Sequence, residues 1–154
     1  LQFNNWVRSL KVAVVGACGT GSPVAMVLTR LGVGHLLLMD RDVIEITNLN
    51  RVHGSRRSDA EARLPKVDVL EREIGLAGLG VEVRIRRAWV NDQALRDDLR
   101  SCDAVFSCTD DHSGRAFLNR LAYHYGIPVI DIGLRMVRRP DGGHDLNGRV
   151  TTLV

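Results

Sequence analysis

The sequence predicts an α/β protein built on an open, mostly parallel sheet with helices on both faces. Two observations carry this reading. Short apolar, largely β-branched runs alternate with helical spacings along the chain, and residues 11–40 compress a strand, a glycine-rich turn, a helix and a second strand into one unit. The length of 154 residues suits one domain with its own hydrophobic core.

Lys11-Val12-Ala13-Val14-Val15 ends on Gly16, as a buried parallel strand entering a tight turn should. In the stretch from Gly16 to Pro23, Ser22 reads as the N-cap and Pro23 as the first helical position, ahead of Val24, Val27, Leu28 and Leu31 at helical spacing; Gly32 closes that helix. His35-Leu36-Leu37-Leu38-Met39-Asp40 is the second buried strand. Pro65 opens a helix carrying Val67, Leu70 and Ile74, and Val81–Arg86 alternates with period two, the mark of a half-exposed strand near the sheet edge. Asp103–Ser107 reads as a strand, residues 111–125 as a helix with Phe117, Leu121 and Tyr125 on one face, and Pro128–Asp131 as the next strand. Leu134–Val137 and Arg149–Leu153 flank the turn-forming Pro140-Asp141-Gly142-Gly143, predicting an antiparallel hairpin added at the C-terminal end of the sheet. The whole reads as a Rossmann-like sheet, with its ligand crevice at the carboxyl ends of the strands.

Composition narrows the function classes. The formal charge is +3, from 21 Lys and Arg against 18 Asp and Glu. A surplus this small, spread over both signs and without an aromatic-basic stripe, predicts no nucleic-acid partner. No apolar run approaches the roughly 20 residues that span a bilayer, and the first residues lack the order of a signal peptide, so no membrane association and a cytoplasmic location are expected. Cys18, Cys102 and Cys108 have neither disulfide-framework nor zinc-knuckle spacing. The five histidines show no metal-ligand spacing, and Arg56, Arg57 and Arg63 read as a solvated basic loop.

The glycine turn, with Gly16, Gly19 and Gly21, is the first chemical candidate, because a strand running into a helix N-terminus offers backbone N–H groups and a positive dipole end to a phosphate. Cys18 stands where the dinucleotide pattern G-x-G-x-x-G has its second glycine. Asp40, about 20 residues beyond the glycines, is placed to accept hydrogen bonds from ribose hydroxyls. Neither feature separates NAD from ATP.

The segments that separate them are Asp40-Arg41-Asp42-Val43, Asn48-Leu49-Asn50-Arg51, Leu64-Pro65-Lys66-Val67 and Cys108-Thr109-Asp110-Asp111, with Arg115 and Asn119 on the helix that follows. In this order, and with Gly16–Ser22 similar to G-x-G-G-x-G-S, residues 11–137 resemble the ThiF/MoeB adenylyltransferase family, which includes the ubiquitin-activating enzymes. The resemblance implies an ATP-dependent adenylyltransferase using Mg²⁺. Asp40 would serve the ribose, Asp42 a second polar contact, Asn48, Arg51 and Lys66 the triphosphate, and Asp110 the metal at the reacting phosphates. Fixed cations and a carboxylate-held magnesium suit a phosphoryl centre that gathers negative charge. Asp111 replaces the family's asparagine, with helix capping as its other reading.

The implied reaction joins a carboxylate to the α-phosphate of ATP with release of pyrophosphate. Its implied substrate is the C-terminal glycine tail of a ubiquitin-like or sulfur-carrier protein, and the implied assembly is a homodimer. The expected organisation is a single adenylation domain over residues 1–154, the N-terminal portion of a longer protein. Departures from the family are the arginine segment before the first strand, for which Arg8 is a poor substitute, and the missing zinc-binding C-x-x-C pairs and conjugating cysteine. Two other readings stay open: a non-catalytic scaffold for a ubiquitin-like protein, and an NAD-dependent oxidoreductase with the same glycine turn and ribose carboxylate.

Overall fold

The computed structural model describes residues 2–153. Its centre is a six-stranded sheet in the order β3-β2-β1-β4-β5-β6. The strands are β1 (Lys11–Val15), β2 (His35–Met39), β3 (Glu82–Arg86), β4 (Ala104–Ser107), β5 (Val129–Arg138) and β6 (His144–Leu153). All pairings are parallel except that of β5 with β6. The helices are α1 (Gln2–Ser9), α2 (Gly21–Leu31), α3 (Arg57–Glu61), α4 (Lys66–Leu76), α5 (Arg96–Arg100) and α6 (His112–Tyr125). Among the described residues no helix is long and apolar enough to cross a membrane.

The central strands are apolar because both faces are covered. Val12, Val14, Leu36 and Leu38 pack with Ala25 and Leu28 of α2 and Val67, Leu70 and Ile74 of α4. Ala13, Val15, Leu37, Met39, Val105 and Val129 face the other way, against Leu99 of α5 and Leu118 and Leu121 of α6. Successive strand residues thus serve opposite cores, which explains why these strands read as unbroken apolar runs. β3 alternates because it is the edge strand.

Several expectations need correction. Thr20, not Ser22, is the N-cap position of α2, and the helix begins at Gly21. Ser22 is instead fully buried, donating from Oγ to the Arg51 carbonyl at 3.3 Å and accepting from His53 N at 3.1 Å. Val27 and Leu31 are exposed, while Ala25, Leu28 and Thr29 form the inner face of α2. The two strands expected at 128–131 and 134–137 are one continuous strand, β5, which begins at Val129 and runs on because Gly133 stays in the ladder opposite Arg149. Part of the expected basic loop is helical: Arg57 starts α3, and Arg56 approaches Glu73 at 3.6 Å.

The chain winds outward from β1 through β2 to β3 and then returns to place β4 on the other side of β1. Connections leaving β1 and β4 therefore diverge to opposite faces and leave a crevice at their carboxyl ends. The turns after both strands, Gly16–Thr20 and Cys108–Asp110, border that crevice.

Candidate functional site

A cleft of about 460 Å³ opens at this switch point. Its lining includes Gly16, Gly19, Asp40, Asp42, Asn48, Arg51, Lys66 and Asp110, which are all of the expected site residues except Gly21. Gly21 sits behind the turn: a Cβ there would lie 1.6 Å from the Gly16 carbonyl oxygen, so its contribution is to let α2 start against the end of β1. Gly16 has φ +93°, and a Cβ on it would meet the Cys108 carbonyl at 2.7 Å. Gly16 is bare of a side chain because the end of β4 closes on it. Among the described residues, the N–H groups of Cys18 and Gly19 have no acceptor.

Asp40 follows β2 and is 8% exposed. Its Oδ2 accepts from Ala17 N at 2.7 Å and its Oδ1 from Asp42 N at 2.8 Å, tying the glycine turn to the end of β2. Burial pushes the Asp40 carboxyl above the ordinary carboxylate value, against these hydrogen bonds and the Lys66 charge, which pull it down. Lys66 opens α4 just after Pro65, whose bridge to Val43 brings the start of that helix to the cleft. Its ammonium, 8% exposed at the side chain, donates to Asp42 Oδ2 at 2.9 Å. Burial alone would lower the Lys66 pKa, but the Asp42 hydrogen bond and the surrounding negative groups outweigh it, and the net direction is upward. Lys66 is a fixed cation rather than a neutral base.

Asn48 ends a short 3-10 turn, Ile46–Asn48, and its Oδ1 accepts from Glu45 N at 3.0 Å. That bond directs the chain so that Arg51, three residues on, reaches the cleft. Arg51 Nη1 donates to the Thr47 carbonyl at 2.8 Å, and its aliphatic stem lies across Gly19, where a Cβ would meet Arg51 Cδ at 3.3 Å. Buried Ser22 holds the same segment from beneath. Its place in the glycine motif was the only sequence signal for that role.

On the opposite wall, Asp110 projects from the turn after β4 while Asp111 caps α6, accepting from Gly114 N. Hydrogen bonds from Ser113 and from the Gly114 N–H hold the Asp111 carboxyl below the usual carboxylate value. Its capping reading is therefore the one seen. Arg115 braces the Asp110 turn: its Nε donates to the Thr109 carbonyl at 2.9 Å and lies 3.5 Å from Asp131, which is 7% exposed and also accepts from Ser107 Oγ at 2.9 Å. Asp131 and Trp89, a further lining residue, fall outside every motif read from the sequence. Among the described residues no group of three His, Cys, Asp or Glu side chains is gathered as a metal site. Asp110 lines the cleft and, among the described residues, its side chain has no hydrogen-bond or ion-pair partner.

The sequence matches the ThiF family over residues 2–153. It is 30% identical over 148 residues to the SAMP-activating enzyme E1 of Haloferax volcanii, covering 95% of this chain and 50% of that protein. It is 28% identical over 126 residues to the molybdopterin-synthase adenylyltransferase of Haemophilus influenzae, covering 80% and 50% respectively. The chain thus spans about half the length of these relatives. In fold it superposes on the E. coli tRNA N6-threonylcarbamoyladenosine dehydratase TcdA with a TM-score of 0.78 at 24% identity, covering 85% of this chain and 54% of that one.

Proposed function

The chain belongs to the ThiF family, and on that premise we propose that it binds ATP in this cleft and adenylates a carboxylate with release of pyrophosphate. The carboxylate proposed is the C-terminal glycine of a ubiquitin-like or sulfur-carrier protein, in keeping with relatives named as activating or adenylylating enzymes. The proposed assembly is a homodimer acting in the cytoplasm. One observation carries the reading most: Arg51, Lys66 and Asp110, distant in sequence, line one cleft together with Asp40 and the glycine turn.

Each residue has a role that its surroundings permit. The Asp40 oxygens keep lone pairs beyond those used by Ala17 and Asp42 and can accept from ribose hydroxyls. The free N–H groups of Cys18 and Gly19, at the N-terminal approach to α2, suit phosphate oxygens. Lys66 and Arg51 supply fixed positive charge where negative charge develops, with no reorganisation at the moment of reaction. Asp110 fits a hard divalent cation, which takes one or two carboxylates and completes its shell with phosphate and water oxygens. Bound there, Mg²⁺ would neutralise phosphate charge. No side chain of the cleft is required as a nucleophile, because the substrate carboxylate supplies it.

ATP–pyrophosphate exchange by the full-length protein with candidate carrier proteins tests this. Lys66→Ala and Asp110→Ala are each expected to lower exchange by about a hundredfold or more, the scale of removing one charge-stabilising group. Cys18 lines the cleft where the family carries glycine, and this favours a second reading, a binding scaffold without catalysis. Exchange absent with every carrier that binds, and not restored by Cys18→Gly, would establish the scaffold instead. NAD binding in preference to Mg-ATP would point to an oxidoreductase.

A further inference from the structure

Asp131 is a buried carboxylate to which the adenylation reading gives no task. It stands on β5 in register with Ser107 at the end of β4 and is 7% exposed. A charge buried to this degree is held only where partners compensate its lost hydration. Ser107 Oγ donates to Asp131 Oδ1 at 2.9 Å, and the guanidinium groups of Arg115 and Arg149 approach its two oxygens at 3.5 and 3.7 Å. Arg149 is 71% exposed at the side chain and screened by solvent, whereas Arg115 is 24% exposed, so Arg115 is the principal counter-charge. Arg115 also lines the cleft, as Asp110 does. Its Nε donates to the carbonyl of Thr109, the residue before Asp110, and its Nη2 to the Ile132 carbonyl at 3.4 Å. Gly133 leaves the space for this, because a Cβ there would stand 2.9 Å from Arg115 Nη2. Lys66 has paired with Asp42 across the same cleft. Arg115 and Asp110 have not paired, and among the described residues the Asp110 side chain has no hydrogen-bond or ion-pair partner.

We propose that Asp131 is a positioning residue for Asp110: it holds Arg115 on the Thr109 and Ile132 carbonyls, keeps that guanidinium off Asp110, and so leaves the Asp110 carboxylate open to a divalent cation. This inference rests on the ATP-binding reading above. An arginine and a carboxylate that border one partly desolvated cleft attract each other unless the arginine is already satisfied. Asp131 satisfies Arg115 from the buried side, and its charge is what makes it effective. An uncharged side chain in its place leaves Arg115 free to turn toward Asp110. Outer partners of this kind orient a metal-binding group without touching the metal.

Calorimetric titration of the full-length protein with ATP, once in Mg²⁺ and once in EDTA, tests this in wild type, in Asp131→Asn and in the double variant Asp131→Asn with Arg115→Gln. The quantity read is the factor by which Mg²⁺ tightens ATP binding. Asparagine keeps an acceptor for Ser107 and removes the charge. Asp131→Asn is expected to shrink the factor about tenfold or more, the scale of losing an outer partner of a metal ligand, while ATP in EDTA binds as well as to wild type or better. Adding Arg115→Gln should restore most of the factor, because the competing cation is gone. Affinity lost alike in Mg²⁺ and EDTA, or no recovery in the double variant, reduces Asp131 to a structural role and overturns the proposal. A factor unaltered in Asp131→Asn, or absent in wild type, overturns it too. Crystals of the wild type with Mg-ATP give a check that needs no variant: Arg115 should stay on Thr109 and Asp131, and Arg115 found on a phosphate or on Asp110 refutes the proposal. A full-length protein that binds no ATP in either condition overturns the ATP-binding reading and this inference with it.

Discussion

At the scale of single residues, the site depends on atoms that are missing as much as on those present. A methyl group at residue 21 would collide with the Gly16 carbonyl 1.6 Å away, and both partners are backbone, so neither can swing aside. Gly21→Ala is expected to cost about 3 kcal/mol in chemical denaturation, at the upper end for an overpacked core. The cysteines differ for a related reason. Burial pushes the Cys102 thiol up to about 11 and the Cys108 thiol up to about 12, whereas Cys18 is partly exposed on the cleft wall. Because the thiolate is the reactive form, iodoacetamide at neutral pH should label Cys18 well before the other two, as read by peptide mass mapping. If Mg-ATP occupies the cleft, it should protect Cys18. Equal labelling of all three would contradict this burial pattern.

At the scale of elements, α3 is held by an ion pair rather than by its own five residues, a length far too short to be helical alone. Arg72 of α4 places Nη1 and Nη2 on the two oxygens of Asp59 at 2.7 and 2.9 Å and also donates to the Gly54 carbonyl at 3.0 Å. The Arg72 hydrogen bonds hold the Asp59 carboxyl below its ordinary value, against the upward push of burial. A depressed carboxylate pKa adds stability above the unfolded-state value, and that stability is lost as pH falls toward the folded-state value. Asp59→Asn should therefore lower stability by about 2 kcal/mol at neutral pH, and its difference from wild type should shrink below about pH 4. Denaturant titrations at several pH values would read this, and a difference that persists in acid would refute it. This pair joins residues thirteen positions apart, beyond the reach of local pattern reading. The helices α1, α3 and α5 escaped sequence reading for a shared reason: each is short and leans on a neighbour. The strands β1 and β2 were legible because full burial leaves them uniformly apolar.

For the whole molecule, a ligand that occupies the cleft touches the ends of β1, β2 and β4 and the start of α4 together, so its binding energy adds to global stability. If Mg-ATP is that ligand, a free concentration a hundred times its dissociation constant should add about 2.7 kcal/mol. A thermal shift should follow the ligand concentration in wild type and be reduced in Asp110→Ala and Lys66→Ala, and a shift unaffected by either variant would place the nucleotide elsewhere. The parallel sheet, the glycine turn and the ordered motifs that became its rim could all be read from the sequence, because chain-local periodicity and turn chemistry dictate them. Ser22 as an internal tether, the single long β5 and the brace of Asp131 and Arg115 were not legible, since each arises where distant segments share space. The sequence by itself determined which charged residues were available and at which strand ends they would stand. Only the tertiary structure decided that they meet, because the return of the chain past β1 to β4 opens one crevice, and Trp89 enters it solely because the edge strand β3 pairs with β2.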